Sequence, residues 1–588
     1  MVSSFPSNDN LQTLLVNNPN LLDNNRPPLS AASTSSLKRL YIVLCFGTAI
    51  FFPTALIGYH LFPLSTSQFV VIPSRLCGTA HNQNSCIDMI GKAIVGEELQ
   101  RVEKLVDMDF LRIFLEKTLA HIANSKDVIT NGFDSYSNDL KEKSSALSIC
   151  IKLMDLSMDG VMDSIIALET LSTHLSYVDA HTWLSAVLTN HVTCLDVLVE
   201  STKANIVAEV EDLIAKARTS LAMLTAISPE KEALTWLSRK ITAGQLPSWV
   251  KSSGRVNFLD SSSEMVIPNV IVDMYGSGTY VTVQEAVESA PNMSHTRYVI
   301  YVKKGIYNGQ VIIGKHKRNL MLVGDGMDLT IITGSLNAVD GTRTFDCGTL
   351  IVEGAGFMAQ DMGFVNAAGP DKEQAVAVRV SADKTVMNRC KMDAYQDTLY
   401  VHSKRQFYKD CVILGTIDFI FGDASVVIQS SKIIPRKPLA GQVNMITAQS
   451  RCDLNQNTGI SIQNCTIVPS LDLAAEIDLV KTYLGRPWRN CSRTVFMETF
   501  IEGFIEPKGW HEWNSDMELD KLYYGEFANW GPGSNTSGRI DWQGYHVISN
   551  PLDAMNFTVG PFIQGDEWLN STGVEFTLGL FNYTRKFN

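Results

Sequence analysis

The chain has 588 residues, too many for one ordinary domain, with 45% hydrophobic residues and 39 glycines, a composition of folded, turn-rich material rather than disorder. A net charge of -12 and a pI near 5.5 argue against a nucleic-acid partner. The 11 cysteines include no C-x-x-C pair, so zinc and thioredoxin-type readings have little support. Seven N-x-S/T sequons, at Asn292, Asn464, Asn490, Asn535, Asn556, Asn570 and Asn582, suit a secreted glycoprotein in a disulfide-permissive compartment.

Residues 1–39, rich in Ser, Asn and Pro, read as a cytoplasmic tail. Lys38 and Arg39 then precede an uncharged run, Leu40 to Tyr59, whose 20 residues match the thickness of a bilayer. A cleaved signal peptide would have a shorter apolar region nearer the chain start, so residues 40–62 are expected to form a transmembrane signal-anchor. Residues 76–227 have helical periodicity, clearest in Ala146 to Leu168 and Thr182 to Glu200, and predict a four-helix bundle without catalytic groups. Residues 228–265 read as a linker of mixed Pro, Gly, Ser and charge.

From Val266 onward the pattern changes to short β-branched runs separated by Asn, Asp and Gly, too short for helices and without βα alternation. A right-handed parallel β-helix fits residues 266–588 best, with a β-sandwich as the competing architecture. Within it, YQDTLY (Tyr395 to Tyr400) and GTIDFIFG (Gly415 to Gly422) each set an Asp among apolar neighbours. Asp397 and Asp418 are 21 residues apart, and Gln374 and Gln396 are 22 apart. One coil of a β-solenoid uses about 20–25 residues and stacked strands lie roughly 4.8 Å apart, so the two carboxyls would share a site. Such a pair cannot easily hold two charges, which leaves a proton donor beside an ionised nucleophile. The alternative is that each Asp only binds nearby backbone amides.

Two resemblances extend this reading. The Cys77-x8-Cys86 start, Cys150 and the run DAHTWLSAVLTNHVTC (Asp179 to Cys194) resemble the plant invertase and pectin methylesterase inhibitor domain. That resemblance implies Cys77–Cys86 and Cys150–Cys194 disulfides, and an inhibitor or chaperone role toward an esterase module. QAVAVR (Gln374 to Arg379), YQDTLY, GTIDFIFG and YLGRPW (Tyr483 to Trp488) are similar, in order and spacing, to plant pectin methylesterases. The family implies hydrolysis of the methyl esters of homogalacturonan, the pectin backbone, in the cell wall. On that basis Asp418 is the expected nucleophile and Asp397 the general acid and then base. Gln374 and Gln396 are expected to serve the oxyanion, and Arg486 to hold the nucleophile. Trp488, Tyr400, Phe421 and Trp510 offer faces for sugar rings, and Thr344 resembles a substrate-contacting threonine.

The expected partners are pectin and the chain's own inhibitor-like domain; the family's dibasic processing site is degenerate here, at Arg255, so a processing protease stays an open alternative and cleavage there is not assumed. No cofactor or metal is expected. Departures from the family pattern are Gly309 for an acid, Ser431 for the cysteine expected to pair with Cys411, Ala394 for Gly, and Asp423 for Asn. Asp423 is expected to shift the pH optimum. The alternative function is a catalytically silent wall-binding or inhibitor protein. A backbone-cutting lyase would need a calcium-binding acidic cluster, and none stands out.

Overall fold

The computed structural model describes residues 74–94, 107–136, 141–169, 174–198, 204–228 and 267–581. The expected tail, the anchor at 40–62, Arg255 and nearly all of the expected linker lie outside the described residues. Among the described residues no helix is long and apolar enough to cross a membrane.

Among the described residues, five helices precede the strands: α1 (Gln83–Ile94), α2 (Asp107–Tyr136), α3 (Lys141–Glu169), α4 (His174–Leu198) and α5 (Ala204–Ala226). The last four close a bundle in which α3 packs on both α2 and α4, and α5 on both α2 and α4. The two disulfides implied by the resemblance are present, Cys77–Cys86 at the entry to α1 and Cys150–Cys194 between α3 and α4. Helix α4 is buried on two sides. Leu184, Val187, Leu188 and Leu198 fill the bundle, while Thr182, Ser185, Thr189 and Thr193 form a second, polar buried stripe. Their spacing of three to four residues keeps the stripe on one face of the helix.

From Val270–Val272 to Tyr545–Val547 the strands form three sheets of 11, 7 and 8 strands, and every pairing is parallel. The central coils each contribute one strand to each sheet, which is the architecture of a parallel β-helix and not of a sandwich. Aligned interior positions stack from coil to coil: Ile300, Leu322, Ala359, Met387, Tyr408, Ile428, Ile462 and Phe496 form one such ladder. Full burial of a side chain of this size stabilises by about 1.5–3 kcal/mol, so the ladder is the main cohesive element. The next rung is Glu526, whose carboxylate is met by Arg539 at 2.8 Å. A short helix, α6 (Val283–Ser289), carries a capping box of Thr282 and Glu285 and lays Val283, Ala286 and Val287 over the first coils.

Cys390, Cys411, Ser431 and Cys465 occupy one ladder, with Lys391 paired to Val412, Val412 to Lys432 and Lys432 to Thr466. All six late cysteines are free thiols. Ser431 replaces a covalent partner with hydrogen bonds: its hydroxyl accepts from the Cys411 amide at 3.0 Å. Gly309 sits at φ +128, a conformation that disfavours side chains, in the turn after Gly305–Asn308.

The strand-to-strand turn is tight at Gly415, where a Cβ would lie 2.2 Å from the Phe419 Cβ and 2.6 Å from the Thr398 hydroxyl. Gly415→Ala is therefore expected to destabilise the β-helix by about 1–3 kcal/mol, seen as a lower denaturation midpoint. An unchanged midpoint would show that the turn can relax.

Candidate active site

Asp397 and Asp418 occupy the same turn in successive coils. The first lies between Lys391–Asp393 and Leu399–Val401, the second between Val412–Gly415 and Ile420–Gly422. Leu399 pairs with Ile420, so the two acids, each two residues earlier, are in register, and the Asp397 amide donates to the Ile417 carbonyl at 3.0 Å. Both take left-handed φ values, +65 and +51. Asp tolerates this region better than bulky residues do. The bend also answers why Gln396 and Asp397, adjacent in sequence, need not face opposite sides: neither is in a regular strand. Gln374 comes to the same turn one coil earlier, where the next residue, Ala375, donates its amide to the Gln396 carbonyl at 3.2 Å.

Both carboxyls are buried. Arg486 approaches Asp418 side-on, with Nε and Nη2 donating to its two oxygens at 2.9 and 2.6 Å. This geometry needs an ionised acceptor and is one that lysine lacks. Burial, and then the neighbouring Asp418 charge, push the Asp397 carboxyl well above the ordinary range, with Arg486 opposing. Burial raises Asp418 as well, against the hydrogen bonds and charge of Arg486. Of the two, Asp397 is pushed further toward its protonated form, while the bidentate contact with Arg486 favours the charged form of Asp418.

A row of aromatic rings borders the pair. Tyr400 stacks on Phe421 at 4.3 Å, Phe421 leans on Trp488 at 6.1 Å, and Trp488 stacks on Trp513 at 6.3 Å. The Arg486 guanidinium lies 4.1 Å from the Trp513 ring centre. Trp510, expected to offer a face to a sugar, instead lies 1% exposed in the core, 4.3 Å from Tyr524. A bridge between Gly485 and Trp510 turns it inward. Trp513, three residues on and half-buried, joins the ring row in its place; sequence reasoning missed it, since GWHEW offers two tryptophans and no sign of which lies in the core. Thr344 is half-buried in the turn before Leu350–Val352, and its neighbour Phe345 meets Tyr400 edge-on at 6.5 Å.

The polar stripe of α4 docks beside this row. The Thr193 hydroxyl hydrogen-bonds His402 Nε2 at 3.0 Å, and Thr189 donates to Asp423 at 2.7 Å. Asp179 pairs with Arg405 at 2.6 Å, and Asp196 with Arg489, next to Trp488. Asp423 also accepts from Gln456 at 2.6 Å and Thr458 at 2.5 Å. Its carboxylate thus faces the helical layer, not the acid pair. No group of three or more His, Cys, Asp or Glu side chains among the described residues is arranged to hold a metal.

A β-helix bearing an arginine-clamped carboxyl pair beside a line of aromatic rings defines a hydrolytic enzyme class. The family model "Pectinesterase" matches residues 269–566, and "Plant invertase/pectin methylesterase inhibitor" matches residues 72–230. Among curated relatives, pectinesterase/pectinesterase inhibitor 18 of Arabidopsis thaliana is 46% identical over 94% of this chain and 99% of its own length. Pectinesterase 2.1 of Solanum lycopersicum is 48% identical over 88% of this chain and 92% of its own. The solved structure of pectin methylesterase from carrot is 51% identical, with a TM-score of 0.54, and covers 54% of this chain and all of that one. The chain belongs to the pectinesterase family, with an inhibitor-type domain preceding the esterase part.

The charge state has a consequence for stability. Asp397 has a folded pKa above its unfolded value of about 4. Its contribution is therefore complete below that unfolded value and is lost as pH rises through the folded pKa. Asp397→Asn removes this loss. It is expected to melt above the parent at neutral pH, the gap narrowing toward pH about 4. Parallel melting curves at every pH would contradict a raised pKa.

Proposed function

We propose that the protein hydrolyses the methyl esters of homogalacturonan, releasing methanol and leaving pectate. The observation that supports this reading most is Asp418 held by Arg486 and set in register beside the buried Asp397, whose carboxyl is pushed well above the ordinary range. Asp418, ionised, attacks the ester carbonyl and forms an acyl-enzyme. Asp397 gives its proton to the departing methoxy group, then takes one from the water that cleaves the acyl bond. Gln374 and Gln396 donate from their amides to the oxyanion, stabilising it without adding a cation that would compete with Arg486 for the nucleophile. Trp488 and Trp513 offer ring surface to the sugars, Tyr400 and Phe421, stacked on each other behind them, line the substrate side of the site, and Thr344 contacts the polymer beside Phe345.

We further propose that residues 76–227 act as an inhibitor of residues 266–588 in the same chain, with 228–265 as the connection. Helix α4 occupies the cleft side next to Tyr400 and Trp488, where a polymer would run. The N-terminal run 40–62 serves as a signal-anchor that exports the rest to the cell wall. A protease acting near Arg255 separates the two parts.

Methanol release from methylated pectin tests the reading. The full chain is expected to have measurable activity, and Asp418→Asn to lose at least about a thousandfold of it. Asp418→Asn activity near the parent's would remove the nucleophile assignment; a folded parent releasing no methanol, even after proteolytic cleavage of the linker, would remove the esterase reading. Asp179→Arg sets two guanidiniums together at the seam, and repulsion there is expected to raise activity several-fold if α4 blocks the cleft. Unchanged or lower activity would mean that the helical domain does not inhibit in place.

A further inference from the structure

The turn carrying Gln396 and Asp397 leaves the strand ladder, so its shape needs support from outside the backbone repeat. On its inner side that support is plain: the Tyr395 carbonyl accepts from the Thr416 amide at 2.9 Å and from the Thr398 hydroxyl at 3.2 Å. On its outer side one side chain reaches back across two coils. Arg436 follows the strand Lys432–Pro435, which pairs with Val412–Gly415, which in turn pairs with Lys391–Asp393. Its Nη1 donates to Asp393 Oδ1 at 2.8 Å and to the Ala394 carbonyl at 3.0 Å, and its Nη2 donates to the Tyr395 hydroxyl at 2.8 Å. The guanidinium also lies 3.8 Å from the Tyr395 ring centre.

We infer that Arg436 is a positioning residue for the reaction, holding Asp393, Ala394 and Tyr395 so that the next two residues, Gln396 and Asp397, are set against Asp418 and the ester. The inference rests on the roles proposed above for Gln396 and Asp397. Three consecutive residues held by one guanidinium leave little freedom for the two that follow. The planar fork matters, because one ammonium could not serve a carboxylate, a carbonyl and a phenol in these directions while stacking on a ring. The charges facing this cluster are few: Asp393 also lies 3.8 Å from Lys391, and Asp472 senses Arg436. Arg436 makes none of its contacts with Asp397 itself, whose charged neighbours are Asp418 and Arg486.

The test uses the full chain with Arg436→Gln and Arg436→Lys, assayed for methanol release across pectin concentration and pH. Misplacing a catalytic group by about 1 Å can cost on the order of a hundredfold in rate. Arg436→Gln is expected to lower kcat about 10- to 100-fold while KM stays within about twofold, since the aromatic row is untouched. The alkaline limb of kcat/KM should move to lower pH, because a loosened turn lets Asp397 drift from Asp418 and toward water, and both changes ease its ionisation. Arg436→Lys should recover part of kcat and part of the shift. A merely structural role would change the melting point and the yield of folded enzyme, not the pH limb.

Parent kcat and an unmoved limb in folded Arg436→Gln would overturn the inference. Should that variant fail to fold, Tyr395→Phe and Asp393→Asn each remove one tie. Smaller effects in the same direction support the inference, and parent behaviour in both overturns it. Asp397→Ala separates the two levels. If it keeps parent activity, the role of Asp397 fails; if it is inactive while the Arg436 variants are normal, only the positioning role fails.

Discussion

The register between successive coils is the constraint on which everything else depends. Parallel backbone hydrogen bonds fix Leu399 against Ile420, and that pairing alone decides that Asp397 and Asp418 are neighbours. A slip of one residue in that pairing would take Asp418 out of step with Asp397. The interior ladders make such a slip costly, since every rung from Ile300 to Phe496 would leave its apolar stack together. The electrostatic strain of two buried carboxyls is therefore held by packing spread over the whole solenoid. Arg486, arriving from a strand two coils beyond Asp418, offsets part of it.

Much of the esterase part was legible in the sequence because a solenoid converts sequence distance into spatial distance. A spacing of 21 residues between Asp397 and Asp418 translates directly into adjacent coils. The bundle was legible from helical periodicity, and its disulfides from a resemblance. Two things were hidden. The choice between Trp510 and Trp513 depends on which way a short segment rotates after Gly485, and a bridge that no pattern announces sets that rotation. The polar stripe on α4 was hidden too: Thr182, Ser185, Thr189 and Thr193 at helical spacing look like an ordinary wet face, yet all four are buried against the β-helix.

That seam is built largely of hydroxyls and ion pairs. Arg405 lies between Asp179 of α4 and Asp383 of the β-helix, and Lys315 between Asp155 and Asp159 of α3. Polar contacts of this kind lose less on exposure to water than apolar ones do, so the two parts can separate without either becoming sticky. An interface of leucines would bind as well but would leave an aggregation-prone scar on both halves. The composition of the seam is that of a contact that can be undone.

The short helix α6 has a consequence beyond its few residues. A parallel β-helix has no natural end: each coil exposes backbone groups and an apolar cross-section ready to template another, whether from the same chain or a second molecule. By laying Val283, Ala286 and Val287 across the first coils, α6 closes that cross-section at one end. At that end, what would otherwise be a growing fibre tip becomes an ordinary molecular boundary.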